Sequence, residues 1–391
     1  MNKAIQHEPS TDVVITTVAG KVAPTHYSAA PEYNAMVLSL LRQSARSGNA
    51  DSQAQLGAMY GCGDGVPKHY SVALALMRRA GDKGHPLALY NLGVMYAQGY
   101  GVDVNREVAF NCYTKAAGAG NLDALNNLGV CYQHGFGCVR HLDMAFEKFR
   151  DAASRGHAVA MSNCGYMKEL GLGTNLDEEE ALRFYRNAAG RGCVEAAYNL
   201  GRLHIFTKTV YNDFALGREA LQKAATMGSG DANNLLGCIE YKGFKEERDY
   251  VRAREYFLEA ERLGNAAALN NLAWLYQHGF GVPADLEKAV HYFAQSAALG
   301  YSSAQCNLGY LYFHGMGVER NIAKAFELFG RGVDAENYTA MFNLALLLLD
   351  PNSGYHDTTR AESLLKKCAL AGFAEARELI EEIHSEEARR A

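Results

Sequence analysis

One feature constrains the fold of this chain more than any other, because the same residue pattern returns every 36 positions. The stretch from His85 to Gly120 shows the pattern in full, and its counterparts lie on both sides of it. Gly120 is matched by Gly48, Gly84, Gly156, Gly192, Gly228, Gly264, Gly300 and Gly372. A period of this size, held over most of a chain, is the sequence signature of a solenoid.

Each repeat has the pattern of two short helices. Ala88, Leu92 and Tyr96 recur at helical spacing, which predicts an amphipathic first helix. Gly99 and Gly101 follow and end that helix, because glycine adopts the left-handed conformation there without a steric penalty. The apolar stripe has no partner within one hairpin, so each hairpin must pack against the next.

The second helix of each repeat begins at a polar residue. In the repeat at 85–120 this residue is Asn105. Its counterparts are His69, His141, Asp177, Asp213, Asp249, Asp285, Asn321 and Asp357. Most of these side chains can accept a hydrogen bond from a free N–H group at a helix start.

The pattern AxxxLGxxYxxGxGVxxDxxKAxxxYxxAAxxG resembles the Sel1-like repeat, a relative of the tetratricopeptide repeat. The clearest copies lie at 85–120, 121–156, 265–300 and 301–336, and the resemblance covers roughly residues 49–373. It implies an all-α fold, a right-handed α/α superhelix (solenoid) of 36-residue helical hairpins. A fold of this kind does not by itself dictate a function.

The period also predicts the organisation of the chain. We expect a mobile N-terminal lead at 1–30, an N-terminal capping helix at 31–48, nine repeats at 49–372, and a C-terminal capping helix with a charged tail at 373–391. The repeats within 193–264 and 337–372 are degenerate, since they lose residues of the glycine turn. Because the phase passes through 193–264 without a break, we interpret the array as one continuous superhelix.

Composition excludes some partners and compartments. The formal net charge is −5 and no basic block occurs, which argues against a nucleic acid or an anionic membrane as the main partner. The longest apolar run, Leu344 to Leu349, is too short for a transmembrane segment. The first residues are polar and lack the apolar core of a signal peptide, so we predict a cytoplasmic protein. The oligomeric state stays open.

The nine cysteines, an odd number without a CxxC motif, predict reduced and mostly packed thiols. Secreted bacterial Sel1-like proteins carry a regular disulfide in each hairpin, and this sequence departs from that pattern. His134, His278 and His314 share one repeat position, which raises the possibility of a metal site. Helices of neighbouring repeats pack roughly 10 Å apart, whereas zinc ligands converge to about 2 Å. We therefore expect neither a metal nor a cofactor.

No motif predicts catalysis. Some bacterial relatives are credited with penicillin binding or β-lactamase activity, and this chain has one SxxK string, Ser363 to Lys366. The string falls inside a predicted helix and lacks the SDN and KTG motifs that accompany it in those enzymes. The prediction is that the protein is not an enzyme.

An asparagine series is the first candidate for partner binding. Its members lie on the predicted first helices, two positions before the small residue of the repeat: Asn91, Asn127, Asn163, Asn199, Asn271, Asn307 and Asn343. Asparagine is a mediocre helix former, so its return needs a cause. One interpretation is a ladder of amides that lines a groove and binds an extended peptide. The other is a hydrogen bond from each amide to the backbone of an adjacent helix or turn.

The second candidate set surrounds that ladder. The positions of Leu87, Tyr90, Val94, Ala97 and Gln98 should face the groove, as the matching positions do in tetratricopeptide superhelices. At the position of Val94 the other repeats carry Tyr166, Arg202, Trp274 and Tyr310. Aromatic residues and arginine are the types that anchor protein partners. Packing between repeats is the alternative.

These features predict an adaptor or scaffold that binds a protein or peptide through the concave face of the solenoid. A regulatory subunit or assembly factor of an enzyme complex is the alternative of the same class. A hydrolase of the bacterial cysteine-rich Sel1-like kind is the alternative of another class, and the missing disulfide pattern argues against it.

Overall fold

A computed structural model describes residues 31–245 and 247–390, and the lead predicted at 1–30 lies outside them. The described chain consists of twenty α-helices without a strand. Helix α1 (Pro31–Arg46) precedes the hairpins and α20 (Ala374–Arg390) follows them. The first helices of the hairpins are α2 (Ala50–Cys62), α4 (Pro86–Gln98), α6 (Leu122–His134), α8 (Ala158–Leu170), α10 (Val194–Phe206), α12 (Gly230–Lys242), α14 (Ala266–His278), α16 (Ser302–His314) and α18 (Tyr338–Leu349).

The second helix of each hairpin follows after a short turn. These helices are α3 (Tyr70–Gly81), α5 (Arg106–Gly118), α7 (Leu142–Ser154), α9 (Glu178–Gly190), α11 (Phe214–Thr226), α13 (Tyr250–Arg262), α15 (Leu286–Ala298), α17 (Ile322–Asp334) and α19 (Thr358–Leu370). The alternation of first and second helices confirms the prediction of an all-α solenoid of helical hairpins.

Two series of polar residues start the helices. Asn105 accepts a hydrogen bond from the N–H of Val108, and the acidic or asparagine counterparts cap the later second helices in the same way. Two histidines of this predicted series, His69 and His141, make no such bond. The sequence analysis missed an equivalent series on the first helices: Asn49, His85, Asn121, His157, Ser229, Asn265 and Asn337.

The caps of the first helices also join neighbouring hairpins. His85 Nδ1 accepts the N–H of Ala88, so the proton of the neutral ring lies on Nε2, which donates to Asp51 at 2.9 Å. Asn265 makes the equivalent link in another hairpin, where its Nδ2 atom donates to Asp231 at 2.8 Å. One side chain thus starts a helix and fixes it to the preceding repeat.

Close approach explains the repeated glycines. A Cβ atom on Gly129 would lie 2.5 Å from the ring of Phe149, which packs on the first helix at this point. Gly137, the second glycine of a turn, has a φ of 74°, and a Cβ atom there would lie 2.0 Å from the carbonyl oxygen of Arg106. The turn therefore packs directly against the start of the preceding second helix, in addition to ending its own first helix.

Helix contacts divide the chain into two compact units, with the boundary between Gly217 and Arg218 inside α11. The boundary falls in the stretch 193–264 that the sequence marks as degenerate. The interpretation of one continuous superhelix stays a prediction.

Within each unit the first helices of neighbouring hairpins contact one another. In the first unit α2 contacts α4 and α8 contacts α10, and in the second α14 contacts α16 and α16 contacts α18. Successive second helices make no comparable contacts in the described residues. We call the surface formed by the first helices the inner face.

Candidate protein-binding face

The asparagine series is buried. None of its seven side chains is more than 6% exposed. Asn163 Nδ2 donates to Asn126 Oδ1 at 2.9 Å, and Asn307 Nδ2 donates to Asn270 Oδ1 at 3.0 Å. Each acceptor lies 37 positions upstream, on the first helix of the preceding hairpin. These amides therefore connect first helices to one another.

The same offset accounts for part of the variation along the series, but not for Asn199, which has Ser162 at that offset. Asn343 Nδ2 donates to the Sγ atom of Cys306 at 3.4 Å, also 37 positions upstream. For Asn91 the matching residue is Ala54, which has no polar side-chain atom. Neither side-chain atom of Asn91 has a hydrogen-bond partner in the described chain, and the same holds for Asn199.

This geometry resembles the packing interpretation, with side chains instead of backbone as acceptors. Peptide binding by the asparagine series stays a prediction, and Asn127 is the member whose surroundings favour it most. Its side chain hydrogen-bonds the hydroxyl groups of Tyr90 and Tyr113 and lines an open cavity.

Two members of the second candidate set form hydrogen bonds to neighbouring hairpins. Trp274 Nε1 donates to the hydroxyl of Tyr241 at 2.9 Å. Arg202 donates to both carboxylate oxygens of Glu169. In both pairs the partner lies 33 positions upstream. The remaining members, Tyr166 and Tyr310, are half-buried at the inner face.

The Arg202–Glu169 pair is almost removed from water, because each side chain is only 9% exposed. Tyr185 donates its hydroxyl to Glu169 at 2.9 Å and completes the cluster. Burial alone would lower the pKa of Arg202, but the hydrogen bonds and the charge of Glu169 outweigh it and raise that pKa. Burial raises the pKa of Tyr185 well above its usual range, so its hydroxyl keeps its proton.

The same two positions are small at another junction. Ala97 and Val130 replace the ion pair between the hairpins 85–120 and 121–156, and a cavity of about 220 Å³ opens there. Its polar lining comes from Gln98, Arg106, Tyr113 and Asn127. Its apolar lining comes from Ala97, Ala109, Val130, Cys131 and Phe136.

Burial keeps the acidic groups in and beside the cavity uncharged at neutral pH. Burial raises the pKa of Cys131 to about 12. Burial also raises the pKa of Tyr90, the second hydroxyl bound by Asn127, to about 12. At the mouth, the Arg106 guanidinium lies over the ring of Phe136, 4.6 Å from its centroid.

The repeat pattern and the fold agree with a comparison against known protein families. A model of the Sel1 repeat matches nine consecutive stretches of the chain: 50–85, 86–121, 122–157, 158–193, 194–229, 230–265, 266–301, 302–337 and 339–373. The chain belongs to the Sel1 repeat family. The matched stretches begin close to the predicted repeat boundaries and include both degenerate regions.

Solved structures support the same assignment. A protective antigen of uropathogenic Escherichia coli with an SLR fold is 30% identical, with a TM-score of 0.58, over 90% of this chain and 75% of that one. A Sel1 repeat protein from Oxalobacter formigenes is 25% identical, with a TM-score of 0.56, over 87% of this chain and 98% of that one. A search of curated proteins finds none that matches the chain.

The histidines considered for a metal site take part in aromatic contacts of this Sel1 array. The ring centroids of His278 and Trp274 lie 4.1 Å apart, and those of His314 and Tyr310 lie 4.4 Å apart. His134 stacks on Phe136. In the part of the chain that the structure describes, no three His, Cys, Asp or Glu side chains converge on a possible metal position.

The cysteines and the SxxK string were the other chemical candidates. None of the nine cysteines, all within the described ranges, forms a disulfide. Ser363 lies on α19, and Lys366 of the same SxxK string donates to Glu362. Among the residues with described structure, no helix combines the length and the apolar character needed to cross a membrane.

Sequence reasoning placed Ala97 and Gln98 at the groove but missed Arg106, Val130 and Phe136 as parts of one site. Part of the signal was Val130, since two other repeats of this Sel1 protein carry Tyr166 and Tyr310 at this position, although Val94 and Cys238 are also small there. A small side chain at a position that is elsewhere aromatic leaves a space, and the cavity occupies it.

Proposed function

We propose that this protein is an adaptor or scaffold that binds another protein through the inner face of its first helices. Sel1 repeat proteins generally mediate protein–protein interactions. The observation that supports this face is the cavity beside Ala97 and Val130. Binding energy at protein interfaces concentrates in a few side chains that fill such pockets.

The composition of the cavity suits one anchoring side chain of a partner. A volume of about 220 Å³ is below the range of typical small-molecule sites, roughly 300–1,000 Å³. Tyr166, half-buried at the inner face of the same unit, offers a further aromatic contact. A partner segment that places one side chain in the cavity can extend along the first helices.

A regulatory subunit or assembly factor would use the same face, and only the identity of its partner would differ. A catalytic role is not proposed, because the Sel1 solenoid is typically non-catalytic and Lys366 is engaged by Glu362. The proposal also includes the cytoplasm as the compartment, because none of the nine cysteines forms a disulfide and free thiols are usual in a reducing environment.

Site-specific photo-crosslinking in cells tests the inner face. A photoreactive residue replaces Gln98 or His134, both exposed beside the cavity, and in the control replaces Arg186, exposed on the second helix α9. We expect crosslinked complexes from the first two positions and few from the third. Equal crosslinking at all three positions would remove the inner face as the binding surface.

A further inference from the structure

The cavity between α4, α5 and α6 combines a cation at its mouth with polar groups inside. We propose that it binds the side chain of a glutamate in an extended segment of the partner protein. This inference rests on the proposed function and names the chemistry that the inner face recognises. It follows from the charge of Arg106, the groups inside the cavity and the apolar walls.

Arg106 has its charge available. No carboxylate of the described residues forms an ion pair with it, whereas the buried Arg202 is paired with Glu169. Its guanidinium is placed over Phe136, and stacking on an aromatic ring leaves the N–H groups in the guanidinium plane free to donate. Arginine donates to a carboxylate through two parallel N–H groups, the strongest neutral-pH pairing available to it.

The interior offers further hydrogen-bonding groups and no competing anion. Gln98 has an amide group that can donate, and the Tyr113 hydroxyl, whose oxygen Asn127 hydrogen-bonds, can donate its proton. Tyr113 is almost fully buried and cannot easily ionise. The Cys131 thiol also stays protonated at neutral pH. A carboxylate that enters the cavity therefore meets donors and does not meet a negative charge.

The walls favour glutamate over a shorter acid. Ala97 and Val130 form apolar surface between the mouth and the interior, which suits the two methylene groups of glutamate. The matching pair is larger at two other junctions, where it is Glu169 with Arg202 and Tyr241 with Trp274. Those junctions are closed by their own side chains.

The test uses the full chain and a defined probe, the peptide acetyl-Ala-Ala-Glu-Ala-Ala-amide. Its binding is followed by saturation-transfer NMR, with the glutamine version of the peptide as the control for charge. A third peptide with alanine in place of glutamate and a free C-terminal carboxylate separates side-chain from terminal recognition. We expect the glutamate peptide to bind about tenfold more tightly than either control.

Two variants locate the site on the protein. Val130→Tyr fills the cavity with a side chain that two other repeats accommodate, and Arg106→Gln removes the charge. Each should weaken binding of the glutamate peptide by about tenfold. Arg186→Gln, an exposed arginine outside the cavity, should leave it unchanged. Circular dichroism checks that each variant folds, and Arg106→Gln decides alone if Val130→Tyr does not.

Equal binding of the glutamate and glutamine peptides, or full binding by Arg106→Gln, would overturn the glutamate inference. Preference for the free terminal carboxylate would overturn it in favour of C-terminal recognition. Crosslinks at Gln98 and His134 that persist in any of these outcomes would leave the adaptor proposal standing. Loss of those crosslinks is the separate result that would remove it.

Discussion

Two junctions between hairpins of the first unit differ in whether side chains fill the space at the inner face. At one, Glu169 and Arg202 form a buried ion pair that closes the inner face. At the other, Ala97 and Val130 occupy the same repeat positions and leave a cavity. The hairpins differ in their turns, since Thr207 stands where Gly135 ends the matching helix, and at the inner face they differ in these two side chains. In this array the repeated residues build the stack, and residues that vary between repeats decide where the inner face is open.

The largest expected effect comes from breaking the closed junction. Glu169→Ala leaves the Arg202 charge buried without its partner, which should cost about 3–5 kcal/mol of unfolding free energy. Urea unfolding followed by circular dichroism measures the loss. Glu179→Ala is the matched control, since its pair with Arg183 is exposed and should contribute less than about 1 kcal/mol. Similar losses in both variants would contradict a special role for the buried pair.

The next effect comes from converting the closed junction into the open one. Glu169→Ala combined with Arg202→Val reproduces the Ala97 and Val130 pair of the cavity junction and removes both charges of the buried ion pair. We expect the double variant to lose at most about 2 kcal/mol, less than Glu169→Ala alone, since replacing both members of a buried pair is often tolerated. The same urea measurement decides. A double variant less stable than the single one would show that the open junction depends on other residues.

The third prediction separates paired from unpaired members of the asparagine series. Asn271→Ala with Asn307→Ala removes two buried donors, at 2.9 and 3.0 Å from their acceptors, and each loss should cost roughly 1–3 kcal/mol. Asn91→Ala removes an amide that has no partner in the described chain and improves helix propensity, so it should be neutral or stabilising.

Thermal melting of the unchanged protein, the double variant and Asn91→Ala gives the order of stability. Crosslinking at Gln98 in each of them reports on binding. If the double variant keeps its stability and loses a partner, the groove interpretation of the asparagines gains support. If it melts early and keeps the partner, the amide ladder is a packing device, and the cavity remains the candidate site.

These comparisons also show what the sequence could predict. The helix starts and ends follow from local chemistry, as at Asn105 and Gly99, so the hairpins and the solenoid were accessible from one repeat. The contacts between hairpins have offsets of 33 and 37 positions, neither of which equals the period. Those offsets depend on how one hairpin is rotated against the next, which a repeat pattern does not contain. For that reason Arg202 could be selected from the sequence, while its pairing with Glu169 could not.

The smallest effect concerns thiol reactivity, which compares the open cavity with a closed position of the same unit. Cys131 lines the open cavity and Cys164 is fully buried, and burial raises the pKa of each thiol to about 12. Because the thiolate is the reactive form, both should be alkylated far more slowly than Cys62 at about pH 8. Cys62 is exposed, although partial burial raises its pKa somewhat.

Timed alkylation of the native protein without reductant, followed by peptide mass spectrometry, gives the order directly. We expect Cys62 first, then Cys131, with Cys164 last, because the cavity admits a small reagent and the fully buried position of Cys164 does not. Val130→Tyr should slow Cys131 to the rate of Cys164 and leave Cys62 unchanged. If Cys131 reacts as slowly as Cys164 before the substitution, the cavity is closed in solution. A regular disulfide within the hairpins would instead indicate an oxidising compartment and favour the secreted alternative.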